Sequence, residues 1–211
     1  MKRPWLVMSS SSGKTLKALW EKLDEETRAA CLGLVTDRNC EAVVVAAQLG
    51  LKVEVGAKET VETMAFRKLG QREDAVVFLC GYFALLSDGF LFGCPAPVVN
   101  THPSLLPAFP GLDRKVHADA ADRVAVSGFT VHLVTKALDG GPVLFQHPVA
   151  VEPTMDAEAV RNAVRAAEQK WLPRVLTKVL ESSIEPSDAQ LSTAALRAKY
   201  SFSIPSFQEM D

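Results

Sequence analysis

The sequence has no excess of charge of either sign. Lysine and arginine number 23 against 25 aspartate and glutamate, which gives a formal net charge of -2 at neutral pH. A protein that binds nucleic acid concentrates positive charge, so this balance argues against such a partner. No apolar run approaches the roughly 20 residues that span a bilayer, and the apolar part of the start, MKRPWLVMSSSS, is too short for a secretory signal. We therefore expect a soluble, cytoplasmic protein that binds neither nucleic acid nor membranes.

The sequence also lacks the paired cysteines of a zinc or redox site. Its four cysteines show no C-x-x-C spacing, so neither kind of site is indicated, and we expect no metal. Each lies in or beside an apolar stretch, where a buried free thiol is the favoured interpretation. The cysteines are Cys31, Cys40, Cys80 and Cys94.

Apolar residues are plentiful, and in the first half they form short runs between segments with helical periodicity. The run PWLVM precedes a helix whose Leu16, Leu19, Trp20 and Leu23 share one face. Further runs are ACLGLVTD, KVEV, DAVVFLCG and PVVN. Strands that are continuously apolar and separated by helices are typical of a parallel sheet covered on both faces. The pattern predicts an α/β fold with a doubly wound, mostly parallel sheet.

The second half has a different pattern. SGFTVHLV and VLFQHPVAV alternate more and are joined by TKALDGGP, which predicts an antiparallel pair of strands near the end of the sheet. Residues 155–181 predict a long amphipathic helix with a kink or break at Pro173. No linker divides the chain, so we expect a single domain over 1–211. Within it we distinguish a first half (1–95), a second half (96–182) and a polar surface arm (183–211).

The stretch SSSSGKT after the first strand poses a question of phosphate binding. An ATP-binding P-loop needs glycine where Met8 stands, because that loop must turn tightly and bring its amides against phosphate oxygens. An NTPase is therefore a remote alternative. A second alternative is that Lys14 is simply a solvated residue in the first turn of a helix. We favour a monophosphate held by amides at the start of a helix, which needs no complete motif.

The stretch VVNTHPSLLPAFPG contains the first candidates for catalysis. Asn100 and His102 are two residues apart at the end of an apolar strand, so they point the same way at the edge where α/β sheets bind ligands. Asp139 follows in a glycine-rich loop. Each alone has a structural explanation, as a core asparagine, a capping histidine or a turn aspartate. Together, with no serine or cysteine nucleophile near them, they suit acyl transfer to an amine that the substrate supplies.

NTHPSLLPAFPG followed by SGFTVHLVTKALDGGPVLFQHPVAV resembles the folate-dependent formyltransferase family, and the resemblance extends from SSSSGKTLKAL to about residue 180. It implies a Rossmann-like fold. It also implies transfer of a formyl group from the co-substrate 10-formyltetrahydrofolate to the amine of glycinamide ribonucleotide in purine biosynthesis. Asn100 and a protonated His102 would then stabilise the oxyanion, and Asp139 would favour the imidazolium and help move the proton.

The resemblance also implies where the two substrates bind, with 1–95 as the phosphate-binding half and 96–182 as the catalytic and folate-binding half. Phosphate and ribose positions match Ser12, Gly13, Lys14 and Thr15 and, on one face of the long helix, Arg165 and Glu168. A surface salt-bridge face is the alternative for the last two. Folate positions match Phe83, Ala84, Leu85, Leu86, Lys136, Ala137 and Leu138. Two departures stand out, because SSSSGKT replaces a glycine-rich loop that ends in Ser-Asn and Ala84 replaces an arginine.

The altered loop leaves other functions open. A formyltransferase that acts on another amine, such as an amino-sugar nucleotide, is the main alternative. A non-catalytic homologue that senses folate or a phosphosugar is another, although it would have no need of the carboxylate of Asp139. We assign no role to His117, interpret His132 as structural or supporting, and expect a monomer or homodimer with small-molecule partners.

Overall fold

The computed structural model describes residues 2–111 and 113–200. The strands are β1 (Trp5–Met8), β2 (Cys31–Thr36), β3 (Val53–Val55), β4 (Val76–Leu79), β5 (Val98–His102), β6 (Val126–Leu133) and β7 (Val143–Ala150). The α-helices are α1 (Lys14–Lys22), α2 (Glu25–Ala29), α3 (Glu41–Gln48), α4 (Val61–Leu69), α5 (Asp88–Gly93), α6 (Asp113–Arg123), α7 (Ala157–Glu181) and α8 (Thr193–Lys199). A 3-10 helix, Pro186–Gln190, lies between the last two.

The strands form one seven-stranded sheet in the order β3-β2-β1-β4-β5-β6-β7. The first five are parallel, and β6 and β7 are antiparallel to their neighbours at one end. This arrangement confirms the predicted doubly wound sheet with its antiparallel pair. The strand order reverses between β1 and β4, which creates a crevice at their carboxyl ends.

The core has two layers because successive side chains of each strand point to opposite faces of the sheet. In β1, Trp5 and Val7 pack in one apolar cluster with α1, α3 and α7. Leu6 and Met8 pack in the other, with α4 and α5. Burial on both faces explains why the central strands β1 and β4 are apolar at every position.

The structure has no break at Pro173, since α7 continues through this proline as one helix. Leu172, Val175 and Leu176 around it are each 1% exposed. A proline inside a helix costs about 3 kcal/mol, whereas each fully buried leucine or valine contributes about 1.5–3 kcal/mol. Packing against the sheet therefore outweighs the lost hydrogen bond.

Residues 183–200 differ from the expected polar surface arm. Ile184, Leu196 and Tyr200 are buried in the core. The Val143 amide donates to the Thr193 hydroxyl at 3.1 Å, so α8 covers part of the edge of β7. The rest of the expected arm, 201–211, lies outside the described residues. Among the helices of the described chain, none combines the length and the apolar character needed to cross a membrane.

Candidate active site

A cavity of about 750 Å³ opens at the carboxyl ends of β1, β4 and β5. Its walls come from the loops that follow β1 and β4, from the β6–β7 loop and from α7. It brings together nearly all residues that the sequence singled out, namely Ser12, Lys14, Thr15, Phe83, Ala84, Leu85, Leu86, Asn100, His102, Lys136, Ala137, Leu138, Asp139, Arg165 and Glu168. Gly13 is buried behind the lining.

His102 is held at both ring nitrogens. Its Nε2 lies 2.9 Å from the carbonyl oxygen of Phe109, and its Nδ1 lies 3.5 Å from Oδ2 of Asp139. A carbonyl oxygen only accepts hydrogen bonds, so we assign a proton to Nε2. Nδ1 is then the ring atom that faces the carboxylate of Asp139.

Asp139 lies between two imidazole rings. Its Oδ2 accepts the Gly111 amide at 2.8 Å, and its Oδ1 lies 3.8 Å from Nε2 of His132. Its backbone is left-handed, with φ 51°, a conformation that non-glycine residues adopt at a cost of about 1–3 kcal/mol and that is common at functional sites. The turn interpretation of the sequence is thus accurate, and the turn directs the carboxylate into the cavity.

His132 is a site residue to which the sequence pointed only weakly. Its Nδ1 donates to the Leu133 carbonyl at 2.9 Å, and its Nε2 lies 3.1 Å from the side-chain nitrogen of Asn100. Burial lowers the pKa of His132 below its ordinary value, and His102 adds to this effect against the opposing effect of Asp139. The neutral ring therefore accepts a hydrogen bond from Asn100 and fixes the orientation of that amide.

Glu168 joins three elements at the floor of the cavity. Its carboxylate accepts the Thr101 hydroxyl of β5 at 2.6 Å and the Thr15 hydroxyl of α1 at 3.3 Å. Glu168 is only 8% exposed. The alternative of a surface salt-bridge face therefore does not describe this residue, which joins the first turn of α1 to β5.

One end of the cavity is basic. Lys14, Arg161 and Arg165 line it, and α1 begins there after Gly13, which has φ 71°. A Cβ at Gly13 would lie 2.9 Å from Cα of Ala42, so the close approach of α3 excludes a larger residue. Cations beside the amino end of a helix suit an anionic ligand. Arg161 was not singled out from the sequence, although this residue lies one helical turn before Arg165 and could have been found from that spacing.

The other end is apolar and partly open. Phe83, Leu85 and Leu138 are 51%, 71% and 61% exposed, which is high for large apolar side chains. Clusters of this kind mark surfaces that bind a ligand or a partner. Lys136 pairs with Asp88 at 2.6 Å and so joins the two walls at this end. The cavity thus combines an anion-binding end, an apolar end and a polar group of catalytic type between them.

The chain is similar to known proteins over most of its length. The formyl transferase family model matches residues 5–176. A phosphoribosylglycinamide formyltransferase of Bacillus subtilis is 29% identical over 186 residues, which cover 84% of this chain and 95% of the relative. One of Mycobacterium tuberculosis is 30% identical over 173 residues, covering 79% and 80%. The solved structure of glycinamide ribonucleotide transformylase 1 from Geobacillus kaustophilus superposes with a TM-score of 0.73 at 29% identity, covering 85% of this chain and 100% of that one.

Proposed function

This chain belongs to the formyl transferase family, and we propose from that membership that it transfers the formyl group of 10-formyltetrahydrofolate to the amine of glycinamide ribonucleotide. The names of its relatives supply the acceptor. The observation that carries the proposal is the convergence of Asn100, His102 and Asp139 in one cavity between a basic and an apolar end.

The cavity fits a folate. Ligand sites commonly measure about 300–1,000 Å³ with mostly apolar walls, and this one measures about 750 Å³. Phe83–Leu86 and the loop 136–138 would hold the folate through apolar side chains and backbone groups. The bound co-substrate supplies the formyl carbonyl as the electrophile. Lys14, Arg165 and the start of α1 would hold the phosphate of the acceptor.

Asn100 and His102 would stabilise the charge that develops on the formyl oxygen when the amine attacks. One amide hydrogen of Asn100 is directed to His132, which leaves the second for the oxyanion. Protonated His102 would donate from Nδ1, because its Nε2 is already bonded to Phe109. Loss of one such donor typically lowers the rate by about 10²–10³-fold.

Asp139 would transfer the proton that the reaction moves between the two substrates. Its carboxylate faces Nδ1 of His102, where it stabilises the imidazolium. The attacking amine must lose one proton and the departing folate nitrogen must gain one, so the step is balanced within the two substrates. Asp139 would carry that proton between them, directly or through a water molecule.

The test is formyl transfer from 10-formyltetrahydrofolate to glycinamide ribonucleotide, measured beside amino-sugar nucleotides. We expect turnover with glycinamide ribonucleotide at the highest kcat/KM. Turnover only with an amino-sugar nucleotide would show that this nucleotide, and not glycinamide ribonucleotide, is the acceptor. Folate binding without transfer to any amine would favour a sensor, and ATP-dependent stabilisation without folate binding would favour an NTPase.

An amino-sugar nucleotide is the second candidate acceptor because of the charge at the basic end. Lys14, Arg161 and Arg165 all line it, and a diphosphate carries more negative charge than a monophosphate. We place the activity in the cytoplasm, with small molecules as its partners and a monomer or homodimer as the active form. Sedimentation with and without the substrates would test the oligomeric state.

A further inference from the structure

A buried hydroxyl joins the loop at the basic end to the segment at the apolar end. Ser10, in the loop after β1, is 6% exposed. Its Oγ accepts the backbone amide of Phe83 at 3.1 Å, and its own amide donates to the Gly81 carbonyl at 3.0 Å. Ser10 therefore holds the start of the segment 81–87 through both its side chain and its backbone.

The segment 81–87 depends on such contacts because it contains neither helix nor strand. Phe83 and Leu85 line the cavity and are 51% and 71% exposed, so their side chains are only partly held by packing. At its far end, the Ser87 amide donates to the Glu62 carboxylate at 2.6 Å. Ser10 and Glu62 are thus side-chain anchors at the two ends of one wall of the cavity.

The hydrogen bond between Ser10 and Phe83 links the ends of two neighbouring strands. Ser10 follows β1 and Phe83 follows β4, and these strands are paired in parallel in the sheet. The bond therefore joins the two loops at the carboxyl ends of β1 and β4.

We propose that Ser10 is a positioning residue that holds the folate-binding segment against the phosphate loop. The inference rests on the proposed function, in which these two elements bind the two substrates. Ser10 is remote in the hydrogen-bond network from Asn100, His102 and Asp139, which are held by β6, Phe109 and Gly111. Its loss should therefore weaken substrate binding and leave the chemical step intact.

The first test is the steady-state kinetics of Ser10→Ala. We expect KM for 10-formyltetrahydrofolate to rise about fivefold, as for one lost hydrogen bond, with kcat within about twofold of the unmodified protein and an unchanged pH profile of kcat. The matched control is Ser127→Ala. Ser127 is 2% exposed on β6, and its hydroxyl has no hydrogen-bond partner among the described residues, so its removal should leave KM unchanged.

The second test is calorimetric binding of tetrahydrofolate, which carries no formyl group and needs no acceptor. Ser10→Ala should weaken binding about fivefold. Ser10→Cys should weaken it in the same direction, because a thiol is a weaker acceptor than a hydroxyl for the Phe83 amide. Ser10→Cys also keeps the test available if Ser10→Ala does not fold. If the unmodified protein binds tetrahydrofolate and both variants bind it equally well, the role of Ser10 is refuted while the proposed function stands. If the unmodified protein does not bind it, the proposed function fails first.

Discussion

At the residue scale, the centre of the cavity is Asp139 with the imidazoles of His102 and His132 beside it. Nε2 of His102 donates a hydrogen bond to the Phe109 carbonyl, so Nδ1 is the nitrogen that faces the carboxylate of Asp139. His132, neutral through burial, orients Asn100. In the proposed reaction, the donors to the oxyanion and the acceptor of the amine proton would therefore be different groups, so both could act in the same step.

Replacing Asp139 by asparagine should lower kcat by about 10²–10⁴-fold. The amide keeps the size of the side chain and an oxygen for the Gly111 amide, but it loses the charge that faces His102. The measurement is kcat at saturating substrates, with thermal melting to show that the variant is folded. Asp119→Asn is the control, because Asp119 pairs with Lys115 on α6 outside the cavity lining. A folded Asp139→Asn that turns over at the normal rate contradicts the assignment.

Lys14 is expected to act on the acceptor alone. Lys14→Met should raise KM for the phosphate-bearing acceptor about five- to tenfold through loss of a charge-assisted hydrogen bond, with little change in kcat. The rise should shrink as the salt concentration increases, because Lys14 is exposed. Lys17→Met is the control, since Lys17 lies on the next turn of α1 and pairs with Glu21 at 2.9 Å. Equal effects of the two substitutions would contradict a specific role for Lys14.

At the scale of secondary-structure elements, the approach of α1 to α3 shapes the phosphate end of the cavity. Gly13 ends the loop with a left-handed backbone, directly against Ala42 at the start of α3. The Ala42 amide also donates to the Ser11 carbonyl at 3.1 Å. The loop conformation therefore depends on a neighbouring helix as well as on its own residues.

Gly13→Ala should lower the free energy of unfolding for two reasons. The left-handed backbone costs an alanine about 1–2 kcal/mol, and overlap with Ala42 should add about 1–3 kcal/mol. Gly50→Ala separates these causes, because Gly50 has φ 76° but no atom within 4 Å of an added Cβ. Urea unfolding should show the smaller loss for Gly50→Ala, and only Gly13→Ala should also raise KM for the acceptor. Similar losses in the two variants would show that the contact with α3 is unimportant.

At the scale of the whole molecule, burial of histidine links stability to pH. The pKa of His132 is lowered from its usual 6.5 mainly by burial, and the pKa of His147 is lowered by burial and by Lys170. Below about pH 6.5, His132 and His147 therefore bind protons more readily in the unfolded chain than in the folded chain. The free energy of unfolding must then fall as pH decreases through this range and be constant, for these groups, above it.

His132→Gln should reduce this loss of stability between pH 7 and pH 5, because glutamine has no proton to gain in the unfolded state. The measurement is the free energy of unfolding from urea titrations across that range, and His132→Gln combined with His147→Gln should give a flatter curve still. An unaltered slope in the double variant would mean that neither histidine remains neutral in the folded protein.

Local patterns in the sequence determined much of this protein. The apolar runs and helical periods indicated the α/β sheet, and the spacing of Asn100 and His102 placed both at a strand end. Such features depend on a few neighbouring residues, so they can be predicted from the sequence. The catalytic and binding roles of these residues stay predictions until they are measured.

Tertiary structure alone decided the contacts between distant segments. Pairing of β5 with β6 sets Asn100 opposite His132, and packing keeps α7 helical through Pro173. The Phe109 carbonyl at His102 and the Ser10 hydroxyl at Phe83 depend on loop conformations. Strand register and loop packing arise from interactions across many residues, and no local period of the sequence encodes them.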